Sequence, residues 1–202
     1  MADLTAFALT CSLTPSPAPS SSELMARHVL DELATHGVAG TSVRVVDHNV
    51  MPGVQVDMGD GDAWPGIREK ILAANIFVLA TPIWMGHPSS ISQRVLERLD
   101  ADLAETDDAG RPIMYGKVAI IAVVGNEDGA HKTVADMQQG LNDVGFTLPA
   151  QGATYWVGEA MQTVDYKDLD SVPEKVAATT AGAARNAAHL ARLLTASPYP
   201  AG

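Results

Sequence analysis

Short, almost wholly apolar runs alternate along this chain with longer stretches whose apolar residues recur at helical spacing. That alternation constrains the fold more than any other feature. "LTAFALTC" (4–11), "TSVRVVDH" (41–48), "NIFVLAT" (75–81), "KVAIIAVVG" (117–125) and "TLPAQGATYW" (147–156) read as β-strands. Runs such as 75–81 and 117–125 are apolar at nearly every position, as expected of parallel strands covered on both faces. The last run suits a sheet edge, because Pro149 and Gly152 weaken a central strand.

Helical patterns separate the strands. In "SSSELMARHVLDELATHG" (20–37), Met25, Val29 and Leu33 share a stripe with Ala26 and Leu30, and Gly37 offers a stop. "DAWPGIREKILAAN" (62–75), "SSISQRVLERLDADL" (89–103) and "AHKTVADMQQGLNDVG" (130–145) follow in the same manner. A final helix over about 173–195 presents Val176, Ala183, Ala187, Leu190 and Leu194, and its alanines permit close approach to a sheet.

This order predicts an α/β fold with a parallel sheet between two layers of helices. Right-handed crossovers leave few topologies, of which strand order 2-1-3-4-5 is the common five-stranded one. Ligands of such sheets sit beyond the carboxyl ends of the strands, where the winding reverses. That switch lies between the first and third strands. The segments after residues 11, 81 and 125 are therefore the candidate site.

The first loop, "CSLTPSPAPSSSEL" (11–24), interleaves Ser12, Thr14, Ser20, Ser21 and Ser22 with prolines and opens directly into a helix. Hydroxyls and free amides at a helix start suit an anion, with the macrodipole favouring negative charge. Equally, Ser20 to Ser22 suit a simple helix cap. The loop is neither a Walker loop nor a dinucleotide fingerprint.

The second, "TPIWMGHPSS" (81–90), places Pro82 at the end of the third strand. Ile83, Trp84 and Met85 offer apolar area, Gly86 frees the backbone, and Ser89 stands at the next helix start. The alternative is that Trp84 and Met85 pack under a neighbouring helix or at a subunit contact. In the third, "GNEDGAHK" (125–132), Gly125, Asn126, Glu127, Asp128 and Gly129 can border a polar ring edge, or merely turn the chain and cap a helix. Together the loops describe a ligand with a phosphate at one end and a flat, partly apolar ring with a hydrogen-bonding edge at the other. FMN has that form.

A length of 202 residues suits a single domain over 1–202. Net charge of −11 argues against nucleic-acid binding, since a phosphate backbone would be repelled. Cys11, the single cysteine, has no partner for an intrachain disulfide, and the apolar start lacks a basic leader region, so a cytoplasmic protein without a membrane span is expected. The scattered histidines form no metal motif, and "GHPSSI" lacks the G-x-S-x-G elbow of a hydrolase.

From Leu4 to about Leu194 the sequence resembles the flavodoxin-like superfamily, and within it the NAD(P)H-dependent FMN reductases. The resemblance is carried by "CSLTPSPAPSSSE", by "TPIWMG" as a Thr-Pro-x-x-x-Gly segment, and by "GNEDGAH". It implies a flavodoxin-like three-layer sandwich in which Ser12, Thr14, Ser20, Ser21 and Ser22 hold the FMN phosphate. Pro82, Ile83, Trp84, Met85 and Gly86, with Ser89 nearby, would line the isoalloxazine, and Gly125 to Gly129 its pyrimidine edge. Many relatives carry an Arg where this chain has Thr14, which leaves the phosphate to neutral donors and the helix terminus.

The resemblance further implies hydride transfer from NAD(P)H to flavin and on to a quinone, a flavin or another small-molecule acceptor, in a homodimer or homotetramer. No side chain need be catalytic, because the flavin performs the chemistry. A one-electron carrier without nicotinamide activity and a flavin-free scaffold are the alternatives. The segments 50–67 and 105–116 are expected to build over the site, and "ATYWVGEAMQ" (153–162), with Tyr155, Trp156 and Met161, to add flavin or subunit contacts.

Overall fold

In the computed structural model, which describes residues 4–160 and 162–201, the apolar runs form strands β1 (Leu4–Thr10), β2 (Val38–Arg44), β3 (Ile76–Trp84), β5 (Val118–Gly125) and β6 (Ala153–Val157). A short β4 (His87–Pro88) folds back on β3. The helices are α1 (Ser21–Thr35), α2 (Trp64–Ala73), α3 (Ser90–Leu99), α4 (Ala130–Val144) and α5 (Glu174–Ala196). Parallel pairing in the order β2-β1-β3-β5-β6 is the flavodoxin-like arrangement expected from the sequence, 2-1-3-4-5 when the hairpin strand is left aside.

The period-two pattern of the central strands divides the core into two. Phe7, Leu9, Phe77, Leu79, Ala119, Ile121 and Val123 face α2, α3 and α4, where Ile71, Leu99, Met137 and Leu141 meet them. Ala6, Ala8, Val78, Ala80, Ile120 and Ala122 face α1 and α5. Small sheet residues oppose Ala183, Ala184, Ala187, Ala188 and Ala191 of α5, all buried, so helix and sheet approach closely.

The strand limits depart from the sequence reading where glycine and proline act. Gly37, at φ +73, reverses the chain straight out of α1, so β2 begins at Val38 and Val45–Asp47 becomes a 3-10 turn. Gly152 donates to the Pro149 carbonyl in a turn before β6, which leaves only Ala153–Val157 in the sheet. Pro82 does not end β3. Main-chain groups alternate sides along a strand, so its missing N–H falls on the side where β1 has stopped pairing at Ala80.

Neither segment expected over the site covers it. Residues 50–62 wrap around Arg98 of α3, which donates to the carbonyls of Met51 and Val56 and meets Asp62 at 2.7 Å with both side chains fully buried. The 105–116 segment, closed by a Thr106–Pro112 bridge, lies at the opposite end of the sheet, where Arg111, Tyr115 and Lys117 line a separate cavity of about 220 Å³. Among the described residues no helix is long and apolar enough to cross a membrane.

Candidate functional site

Three loops distant in sequence converge at the carboxyl ends of β1, β3 and β5 on one cavity of about 400 Å³. Its walls include Ser12, Thr14, Ser20, Ser21 and Ser22 from the first loop and Pro82, Ile83 and Trp84 from the second. Gly125, Asn126 and Glu127 complete it from the third. Volume and the mixture of hydroxyl, apolar and other polar lining residues suit a small-molecule ligand of mixed polarity.

The first loop is held in shape before any ligand arrives. Ser12 Oγ accepts from the Thr14 N–H at 3.1 Å, and Ser16 is clamped to Asp47 through its N–H and hydroxyl at 2.8 and 2.6 Å. Those bonds hold the Asp47 carboxyl below its usual range. Arg44, at the end of β2, donates to the carbonyls of Thr14 and Ala18 at 3.1 and 2.8 Å and pairs with Glu23 at 2.6 Å. Ser20 caps α1 by accepting from the Glu23 N–H and also lines the cavity, so the capping and ligand-facing readings of this serine coexist. The preceding amides of the first turn have no acceptor within the helix.

The second loop is a tight hairpin rather than a frayed strand end. Trp84 pairs with His87 across Met85 and Gly86, whose φ values of +54 and +74 match the two-residue turn that joins twisted antiparallel strands. This puts Trp84, 54% exposed, on the cavity wall and Met85, 87% exposed, at the hairpin tip outside it. Ser89 is buried and does not line the cavity. It caps α3, donates to the Cys11 carbonyl at 2.7 Å and receives the Ser92 N–H, tying β1 to α3.

Gly86, Asp128 and Gly129 also stand outside the lining. A Cβ on Gly129 would lie 2.7 Å from the Gly86 Cα, so these glycines let the hairpin touch the start of α4. Gly125 serves a similar end, since its absent side chain makes room for Ile83. The buried Oε1 of Glu127 has no hydrogen-bond partner within the described protein.

Sequence reasoning missed the fourth wall. Beyond Trp156, whose side the sequence left open, the cavity is closed by Asp165, Tyr166 and Lys167. Tyr166 is buried, with its ring centroid 5.6 Å from that of Trp156, and it shares a 2.9 Å hydrogen bond with His28 on α1. Burial pushes the Tyr166 hydroxyl up to about 12 and moves His28 downward. Asp165 accepts from Asn126 and Lys167 donates its N–H to Ser21, so the segment bridges the third loop and the first helix. No spacing marks these residues; only the packing of this turn on α1 brings them in. Leu13, Pro19 and Val124 complete the lining, and Met161 lies outside the described residues.

Comparison with known proteins bears on this geometry. Over 209 residues the chain is 30% identical to the 8-demethyl-8-aminoriboflavin-5'-phosphate synthase of Streptomyces davaonensis, covering 97% of this chain and 80% of that protein. The crystal structure of RosB with the bound intermediate 8-demethyl-8-formylriboflavin-5'-phosphate superposes with a TM-score of 0.87 at 30% identity, covering 97% of this chain and 82% of that one. A protein of Mycobacterium bovis named divalent metal cation transporter MntH is 33% identical over 172 residues, 83% of this chain; the chain spans only a quarter of that protein's length (25%). The profile of NADPH-dependent FMN reductases matches residues 6–162, a span that holds all three loops and every strand but for the first two residues of β1. The chain therefore belongs to the NADPH-dependent FMN reductase family.

Proposed function

We propose that the cavity holds FMN and that the protein passes hydride from NADH or NADPH through it to a small-molecule acceptor such as a quinone or a second flavin. One observation carries the reading. A single cavity is lined by a hydroxyl cluster at a helix start, an apolar strip and a polar loop, carried by the neighbouring strands β1, β3 and β5, a set of groups that suits a flavin phosphate.

The residues present fit the group. Ser12, Thr14, Ser20, Ser21 and Ser22, with the first amides of α1, would hold the phosphate. Pro82, Ile83, Trp84 and Trp156 would flank the ring, and Gly125, Asn126 and Glu127 its polar edge. A buried carboxylate oxygen without a donor is costly, so the orphaned Glu127 Oε1 suits a ring N–H. Met85, Gly86, Ser89, Asp128 and Gly129 would act at one remove, by fixing the hairpin and loops. Bound FMN would supply the hydride chemistry; the chain would orient the rings and exclude water. No side chain is assigned a nucleophilic or general-base role.

The test is the visible spectrum of the purified protein before and after anaerobic addition of NADPH, then NADH. Bleaching of the yellow chromophore supports the reading, and a spectrum untouched by either nucleotide refutes the hydride step. The likeness to an aminoriboflavin-phosphate synthase favours a second reading, in which the flavin phosphate is itself the substrate, altered at position 8. The mass of the flavin recovered after incubation separates the two readings.

A further inference from the structure

We infer that Lys167, on the segment between β6 and α5, is the cation that selects a phosphorylated flavin over an unphosphorylated one, an inference resting on the flavin reading above. The chain carries a net charge of −11, and Glu127 and Asp165 also face the cavity. A phosphate dianion entering there needs compensating charge. Lys167 is the only Lys or Arg among the described residues that line the cavity.

Arg44, the cation that braces the first loop, is already committed. Its buried guanidinium is divided between Glu23 and the carbonyls of Thr14 and Ala18, where it shapes the loop from behind. Lys167, by contrast, is fixed on the cavity wall, and its ammonium is paired only with carboxylates that water also reaches. Its N–H donates to Ser21 Oγ at 3.2 Å, which sets it at the first turn of α1 beside the positive end of the helix dipole. The neighbouring Tyr166 is anchored to His28, so the backbone position is determined by packing. The ammonium meets Asp165 at 3.2 Å and Asp168 at 2.5 Å, and both carboxylates are about half exposed. Exposed pairs of this kind are weak, so a dianion held by α1 can replace them as the partner. The family match ends at residue 162, before this segment.

Flavin-fluorescence titrations on the full chain test this with FMN and riboflavin as paired probes. Lys167→Gln is expected to weaken FMN about tenfold and riboflavin less than about twofold, while Lys167→Arg stays within about threefold of the parent for FMN. Asp168→Asn, which removes a competing carboxylate, should tighten FMN and leave riboflavin alone. Equal losses of both ligands in Lys167→Gln, or no loss of either, would overturn the role of Lys167 and leave the flavin reading standing. Failure of the parent protein to bind either flavin would overturn both. Should Lys167→Gln not fold, as judged by its melting curve, Asp168→Asn decides alone: FMN binding unchanged or weakened refutes the assignment.

Discussion

Arg44 and Glu23 meet at 2.6 Å across the join between β2 and the first turn of α1, and the same guanidinium holds the carbonyls of Thr14 and Ala18. The loop that would embrace the phosphate is thus shaped by a residue that does not touch the cavity. Arg44→Met should lower stability by about 2 kcal/mol, because two carbonyls lose a buried donor and Glu23, partly solvated, loses little. The loosened loop should also weaken FMN and riboflavin together, unlike Lys167→Gln. Urea denaturation and flavin titration check the two effects.

The approach of Gly129 to Gly86 makes a sharper comparison. Gly129→Ala adds a methyl at φ +116 into the Gly86 backbone and should cost about 3 kcal/mol, whereas Gly86→Ala meets open space and should cost only about 1 kcal/mol for its left-handed backbone. Melting temperatures that reverse this order would contradict the packing.

Alternation along β6 separates Trp156 from Tyr155. Trp156 lines the cavity, while Tyr155 turns to the other face and meets His131 of α4. Trp156→Ala should weaken FMN about fivefold through lost ring contact, and Tyr155→Ala should leave binding unchanged. Titration of both variants checks this.

Acid should unlock the segment wrapped around α3. Burial raises the Asp62 carboxyl, but the N–H groups of Met58, Trp64 and Met51 together with Arg98 outweigh it and hold Asp62 below its ordinary 3.8. A carboxyl depressed in the folded state adds stability that is complete above the unfolded value and is lost as pH falls through the folded one. Asp62→Asn should therefore cost about 3 kcal/mol at neutral pH and flatten the loss of stability below pH 3.8. Denaturant midpoints measured against pH give both quantities.

Lys117 works in the opposite sense. Its ammonium donates to the carbonyls of Leu72 and Ala74, yet burial lowers it from 10.5 to about 8. The unfolded chain then holds more protons between those values, so stability contributed by this residue rises as pH climbs from about 8 toward 10.5. Lys117→Gln should remove that rise.

The strands and helices were legible because their signals are local: apolar runs in the strands, stripes in the helices, and glycines such as Gly37 and Gly145 at helix ends. The three loops were legible for a similar reason, since strand order alone places residues 12, 82 and 125 together. Ser89 shows the limit. A serine before a helix satisfies a cap and a ligand site equally well in one dimension, and only its bond to the Cys11 carbonyl reveals which direction it faces. Pro82 misled because a proline is tolerated where a neighbouring strand has ended, a fact of the sheet and not of the strand. Asp165, Tyr166 and Lys167 were invisible because what brings them to the cavity is a turn packed on α1, far away in the chain.

That turn has a temporal consequence. One wall of the binding site is laid down with the first strand of the sheet and another only after the last, so an emerging polypeptide lacks the complete site until its whole sheet is in place. Occupancy then reports completed folding, and a tightly held guest would bias the equilibrium toward the native chain as a unit rather than shore up any one part of it.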